Sequence, residues 1–241
     1  NRLQTRFPAD SRFPDFGVSL LRPQFDNALL HAAAQAGATI RMGERMQNLH
    51  REGDDWCVEL HSGEKIFSRL LVGADGRKSR VAKLLHLTTT PWQQRVALHV
   101  DVPSLTPTEP YGEMHVFNDG TYIGLNPIGT HTLNVSALCD PHELHHTTAM
   151  AFINQRTQAS AQLRHRIAPL TDVAKVRATF PAAQNVHDVV APNAALIGDA
   201  SGFLDPLTGE NEFAAANAAL GFSADDGGSG RPWSASERRI V

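Results

Sequence analysis

The stretch Ala195-Leu-Ile-Gly-Asp-Ala-Ser-Gly-Phe-Leu-Asp-Pro-Leu-Thr-Gly-Glu210 joins an apolar strand to a Gly-Asp turn, a Pro/Gly-rich loop and a helix start. Ile197-Gly198-Asp199 puts a carboxylate at the carboxyl edge of a sheet, where open α/β folds bind ligands. Gly198 lets a ligand approach the backbone closely, and Asp199 can accept hydrogen bonds from sugar-alcohol hydroxyls. Asp205-Pro206-Leu207-Thr208-Gly209 then turns toward a helix amino end near 208–212, whose N–H groups and positive potential suit an anionic group. Taken alone, the block also fits an ordinary loop with an Asp cap.

A second segment, Leu70-Leu-Val-Gly-Ala-Asp-Gly-Arg-Lys-Ser-Arg-Val81, ends another apolar run in Asp75-Gly76. Arg77, Lys78 and Arg80 follow within reach of phosphates, although a surface turn would carry the same residues. Two strand-end Asp blocks in one chain point to one site for a polyhydroxylated, partly anionic cofactor. No general acid or base is identifiable, so the catalytic residues stay unknown; a cofactor that carries the chemistry itself would explain that.

The elements that must position these blocks follow from periodicity. After Arg22-Pro23, residues Phe25, Ala28, Leu29, Ala32, Ala33 and Ala36 recur at helical spacing. Pro23 suits the first turn, Asp26 the positive helix end and Gly37 the stop. Short strands are expected at Thr39–Met42, Gln47–Arg51, Trp56–His61 and Lys65–Ser68, and a strand covered on both faces at Leu70–Ala74. Longer strands are expected at Arg95–Val102, Glu113–Phe117, Thr121–Leu125 and Thr132–Leu138, with hairpin turns at Asn118-Asp119-Gly120 and Asn126-Pro127-Ile128-Gly129. Residues 141–167 are helical in composition, and strand character resumes at Val173–Phe180 and Ala194–Gly198. Trp56 and Phe117 read as core, His99 and His115 as strand-face residues, and Ser79 as a helix cap.

Composition bounds the function. The 241 residues are 41% hydrophobic and 20% charged, which suits a globular chain with a sizeable core. A net charge of −3 supplies no field for nucleic acid, so none is expected as a partner. Cys57 and Cys139 are too far apart in sequence for a CxxC motif, and their number argues for a reducing, cytoplasmic setting. No apolar run is long enough for a transmembrane segment, which leaves peripheral membrane contact open. The amino terminus has neither Met nor a signal-peptide layout.

His142-Glu-Leu-His-His146 satisfies HExxH, the zinc-hydrolase pattern of two histidines one helical turn apart. No glycine-and-histidine extension follows, no Glu occurs from 147 to 209, and 12 histidines make a chance match easy. A zinc hydrolase is therefore the remote alternative, and no metal is expected.

Three blocks carry a resemblance to a known family: Leu21-Arg-Pro-Gln-Phe-Asp26, Gly73-Ala-Asp-Gly-Arg-Lys-Ser79, and Gly198-Asp-Ala-Ser-Gly-Phe-Leu-Asp-Pro-Leu-Thr-Gly-Glu210. In order and spacing over residues 20–212 the chain resembles the flavoprotein hydroxylase and geranylgeranyl reductase superfamily, built on the glutathione-reductase-type FAD fold. The resemblance implies an α/β (α+β) fold: a partial FAD-binding Rossmann-like domain with an inserted antiparallel β-sheet substrate domain. The implied division is FAD-binding at 1–90 with the Asp75 block, a β-rich substrate domain at 91–180, a return to FAD binding at 181–220, and a disordered tail at 221–241.

It further implies that Arg22 contacts the FAD phosphates, that Met46 lies near the adenine, and that Asp75 with Gly76 supports the dinucleotide. Gly198 and Asp199 would meet the ribitol, and Pro206 and Gly209 would line the isoalloxazine. NAD(P)H is the implied reductant of FAD, and the substrate a small apolar or aromatic molecule. The reduced flavin would then reduce a C=C bond or hydroxylate the substrate. Asp205-Pro-Leu-Thr-Gly-Glu210 is closer to the reductase branch, and the Trp-x-Trp-x-Ile-Pro segment of halogenases does not occur. The 18 glycines nowhere form the family's GxGxxG, and Asn211-Glu212 departs from its pattern after Gly209-Glu210. The sequence thus reads as a fragment expected to bind FAD weakly or not at all, and a non-catalytic truncated flavoprotein is the alternative reading.

Overall fold

The computed structural model describes residues 4, 16, 18–91, 94–170 and 176–203. In chain order the elements are α1 (Arg22–Gln35), β1 (Met46–Glu52), β2 (Asp55–Leu60), β3 (Lys65–Ser68), β4 (Leu71–Gly73), α2 (Arg80–Leu84), β5 (Thr88–Thr89), β6 (Val96–Pro103), β7 (Glu113–Val116), β8 (Tyr122–Gly129) and β9 (Thr132–Cys139). After these come α3 (Ala149–Ala159), α4 (Ala161–Arg164), β10 (Arg177–Thr179), β11 (Asn185–Val186), β12 (Val190–Ala191) and β13 (Ala194–Leu196). The mixed α/β class with several antiparallel sheets agrees with the fold expected from sequence. Two compact units divide the chain: Asn1–Arg41 with Arg95–Phe180, and Met42–Gln94 with Pro181–Val241.

In the first unit one five-stranded antiparallel sheet runs in the order β10-β6-β9-β8-β7. Alternation sends Val96, Leu98, Val100 and Val102 of β6, with Leu133, Val135 and Ala137 of β9, to one face. There they form a core with Phe152 and Ile153 of α3 and Leu163 of α4. Thr148 and Ser160 start the two helices by accepting from the amides of Ala151 and Leu163. Arg156 of α3 pairs with Glu143 at 2.9 Å and with Asp119 at 2.5 Å, and its guanidinium lies over Phe117 and Phe152. This fastens the Asn118-Asp119-Gly120 turn to the helical layer. Burial opposes ionisation of Asp119, yet hydrogen bonds from Thr121 and Arg156 and the charge of Arg156 hold its carboxyl below the usual range.

Several expectations are corrected here. Asn126–Gly129 is strand, with Pro127 at a register shift where a proline is tolerated, and the chain reverses between Gly129 and Thr132 instead. Residues 141–167 are not one helix: a 3₁₀ turn at Pro141–Leu144 ends before Thr148, and Ser160 breaks α3 from α4. The HExxH residues therefore lack the continuous α-helix that would stack two histidines one turn apart, and Glu143 is occupied by Arg156. Helix α1 starts at Arg22-Pro23 and stops at Gly37 (φ +97°) as read from sequence. Asp26 sits beyond its first turn and pairs with Arg22 at 3.1 Å, and no residue of α1 is buried.

The second unit holds the antiparallel sheet β1-β2-β3, the two-stranded pair β11-β5, and a sheet in the order β12-β13-β4. In the last, β13 pairs parallel with β4, Leu196 opposite Gly73. A small core of Leu49, Trp56, Val81, Ala82, Leu87, Ala194 and Leu196 ties these elements together, and the Trp56 indole N–H donates to the Asn193 carbonyl at 2.8 Å. Two further expectations fail. Residues 39–42 form no strand, and the segment 70–74 that contains β4 is not covered on both faces, because Leu70 and Val72 are 45% and 41% exposed.

Gly73 is required by packing rather than by its backbone angles. A Cβ there would lie 2.7 Å from Leu196 and 2.8 Å from Val81. Gly73→Ala is therefore expected to cost about 1–3 kcal/mol by overpacking, read as a lowered denaturation midpoint with an unchanged m-value. Wild-type stability would remove this account of the β4–β13 contact.

Candidate functional site

Parallel pairing of β4 and β13 brings the carboxyl ends of the two Asp-bearing segments side by side. The register runs Leu71↔Ala194, Val72↔Ala195, Gly73↔Leu196, and the Ile197 amide continues it to the Gly73 carbonyl at 2.9 Å. Both Asp75 and Asp199 thus emerge at one sheet edge, where an open α/β fold presents its ligand contacts. Within the second unit this edge consists of residues 74–79 on one side and 197–203 on the other.

The two carboxylates have different surroundings. Asp75 accepts from Ser79 Oγ at 2.5 Å, from the Arg80 amide at 2.7 Å and from the Val81 amide at 3.2 Å. Ser79 Oγ in turn accepts from the Ala82 amide at 2.9 Å, so α2 begins with the cap expected for Ser79. Asp75 is therefore committed to shaping its own loop. Asp199 keeps its carboxylate about one-third exposed, with the Arg77 guanidinium 3.6 Å away.

Loop shape comes from residues in the left-handed region: Gly76 at φ +74°, Lys78 at +70°, Gly198 at +59° and Gly202 at +128°. At Gly76 an added Cβ would meet nothing within 4 Å, so open space lies over that backbone.

Gln184 is the residue that sequence reading missed. Buried to 8% exposure, its side-chain oxygen accepts from the amides of Lys78 and Ser79, and its side-chain nitrogen donates to the Ala200 carbonyl at 3.0 Å. Its backbone also exchanges two 2.8 Å hydrogen bonds with Phe203. One amide side chain thus bridges the Asp75 loop and the Asp199 loop. A second bridge is Arg77, which pairs with Asp199 and lies 5.1 Å over the Phe203 ring. No local pattern marks Gln184 in the sequence; only the fold shows that its amide, both donor and acceptor, can join two unpaired loop ends.

The remaining sequence-based candidates are dispersed. Met46 opens β1 in the second unit, half-buried against the small core and beside a register shift. Arg22 belongs to the first unit, at the start of α1. Pro206 and Gly209, with the helix start near 208–212 and Asn211-Glu212, lie outside the described residues, as does the 221–241 tail. Of the three cations after Asp75, Arg77 is drawn to Asp199, Arg80 donates to the Gln47 carbonyl, and Lys78 serves the turn through its backbone.

The family model described as FAD binding domain matches residues 18–210. Digeranylgeranylglycerophospholipid reductase 3 of Methanosphaera stadtmanae is 24% identical over 217 residues, which covers 84% of this chain and 52% of that protein. The 3-demethoxyubiquinol 3-hydroxylase of Escherichia coli is 24% identical over 212 residues, covering 84% of this chain and 52% of that one. The chain spans about half the length of both relatives. Among solved structures, the flavin-dependent halogenase CmlS superposes with a TM-score of 0.75 at 19% identity, covering 90% of this chain and 42% of its own, a likeness of fold.

Replacing Gln184 by Leu removes both halves of the bridge and strands two amides and a carbonyl. A destabilisation of about 2–4 kcal/mol is expected, accompanied by faster amide exchange in 76–80 and 198–203 together. Faster exchange in only one of the two loops would show that Gln184 does not couple them.

Proposed function

The chain belongs to the FAD binding domain family, and from that premise we propose that the protein is an FAD-dependent oxidoreductase whose flavin-contacting edge is formed by the Asp75 and Asp199 loops. The observation that carries this reading is the adjacency of two strand-end Asp loops on parallel strands, bridged by Gln184. The residues present fit a flavin dinucleotide. Asp199 has lone pairs for ribitol hydroxyls, Gly76 leaves its backbone open to close approach, and Arg77 brings a cation beside the site.

When bound, the flavin supplies electron transfer to a substrate or to oxygen. The chain's own residues do the rest. Asp199 would orient the sugar-alcohol segment by accepting hydrogen bonds from its hydroxyls, while Asp75, held by Ser79, fixes the neighbouring loop that supports the dinucleotide. Gln184 keeps the two loops at a constant separation, so the edge is preorganised before any ligand arrives. In this reading Arg22 contributes to phosphate binding, and Met46 to the adenine end.

NAD(P)H is proposed as the reductant, and the substrate as apolar or aromatic with one polar anchor. The second face of the five-stranded sheet supports that class. Met114 and Val116 are 43% and 70% exposed there, next to a hydrogen-bonded row in which His99 Nδ1 meets Ser136 Oγ, Ser136 donates to Asn134, and Asn134 donates to Asp101. Among the relatives, one is named as a lipid reductase and another as a quinol hydroxylase, so C=C reduction and hydroxylation both stay within the proposal. NAD(P)H turnover that continues without oxygen supports the reductase branch, and strict dependence on oxygen supports the hydroxylase.

The binding reading is tested on the 241-residue chain by thermal unfolding with added FAD. A concentration-dependent rise is expected, displaced to high FAD because the 241 residues contain no GxGxxG, and reaching about 2.7 kcal/mol of stabilisation at one hundred times Kd. Asp199→Ala is expected to lose most of that rise while keeping its ligand-free midpoint. A midpoint indifferent to FAD in the wild-type chain would favour the non-catalytic reading.

A further inference from the structure

The hairpin β1–β2 carries a second cluster of chemistry-bearing side chains that the flavin reading does not use. Antiparallel register sets His50 directly opposite Cys57 and Glu52 opposite Asp55. Side chains two apart on a strand share a face, so His50, Glu52 and Cys57 all project from the same side of the hairpin. Leu49 and Trp56 project from the other side and are buried in the small core, which locks the register that aligns the three.

One donor atom from each of the three, imidazole nitrogen, carboxylate oxygen and thiol sulfur, lies within 4.8 Å of the other two. His50 Nε2 is 3.8 Å from Glu52 Oε2. Cys57 is fully buried beneath them, and among the described residues its thiol makes no hydrogen bond. The other cysteine, Cys139, is buried in the apolar core of the first unit, where burial pushes its thiol up to about 11. Cys57 has the His50 imidazole and the Glu52 carboxylate within 4.8 Å of its sulfur.

We propose that His50, Glu52 and Cys57 bind a divalent zinc-type ion. Sulfur, imidazole and carboxylate are its preferred donors at about 2.0–2.3 Å, and an ion at the centre of a triangle with sides no longer than 4.8 Å needs only small side-chain shifts to reach them. Cys57 Sγ forms the floor, and His50 and Glu52, with 38% and 58% of their side chains exposed, close over the ion from solvent. On binding, the Cys57 thiol gives up its proton to solvent and the thiolate becomes the ligand. Three protein ligands leave a fourth tetrahedral position for water. The sequence reading assigned no metal because these residues belong to no contiguous metal motif: the hairpin register alone assembles them.

The test is a titration of the FAD-free 241-residue chain with Co2+, whose thiolate complexes show a sulfur-to-metal charge-transfer band, followed by displacement with Zn2+. One equivalent, a charge-transfer band and its loss on zinc addition are expected. Cys57→Ser is expected to abolish the band, and His50→Ala or Glu52→Gln to weaken binding by more than about tenfold, since loss of even a supporting partner costs 10–100-fold. Zn2+ should raise the unfolding midpoint of the wild-type chain and not that of His50→Ala. If Cys57→Ser fails to fold, the largely surface-facing His50→Ala and Glu52→Gln decide the matter by the same spectrum. Absence of the band, or zinc binding that persists at wild-type affinity in His50→Ala because other histidines hold the ion, overturns the proposal.

Discussion

The parallel pairing of β4 with β13, closed at its end by Gln184, is the constraint on which the candidate site depends. Neither strand alone does more than end in an Asp. Side by side, with Leu196 packed against the bare Cα of Gly73, they bring residues 75 and 199 to one edge. The Gln184 amide then satisfies both loops at once: the part-buried amide at 78 and the buried amide at 79 find an acceptor, and the buried carbonyl at 200 finds a donor. Leaving such groups unpaired costs more than the bridge itself contributes, so the loops are held largely by the penalty for separating them.

The division of labour between the carboxylates follows from this. Asp75, although exposed, has both carboxylate oxygens engaged by hydroxyl and amide donors of its own loop and serves as the brace of a short helix cap. Asp199 is half-buried and, among the described residues, has the Arg77 guanidinium beside it and no loop amide committed to its carboxylate. Two motifs that look alike in sequence therefore have different physical roles, and only the hydrogen-bond partners separate them. The same distinction holds for the cations, because Arg77 alone reaches across to the other loop.

Much of the fold was legible because period-2 alternation survives wherever one face is buried. Lys65–Ser68 is a strand with the expected bounds, β9 extends one residue beyond its expected end, and β6 is shifted by one residue. The failures have physical reasons. Pro127 looks like a turn residue but is accommodated at a register shift, so a turn rule lost to a bulge. Residues 141–167 have helical composition, but Ser160 is a better cap than helix interior and divides the segment. Asp75 and Asp199 were readable because each follows an apolar run directly. Gln184 and the His50–Glu52–Cys57 cluster were not, since both are assembled by strand register between residues that carry no shared local pattern.

The central claim is that two loops, distant in sequence, act as one flavin-holding edge. Amide hydrogen exchange of the wild-type chain with and without saturating FAD tests it most directly. The account predicts that FAD slows exchange in residues 74–80 and 197–203 together and to a similar degree. Protection confined to one loop, or located only in segments outside both, would contradict it.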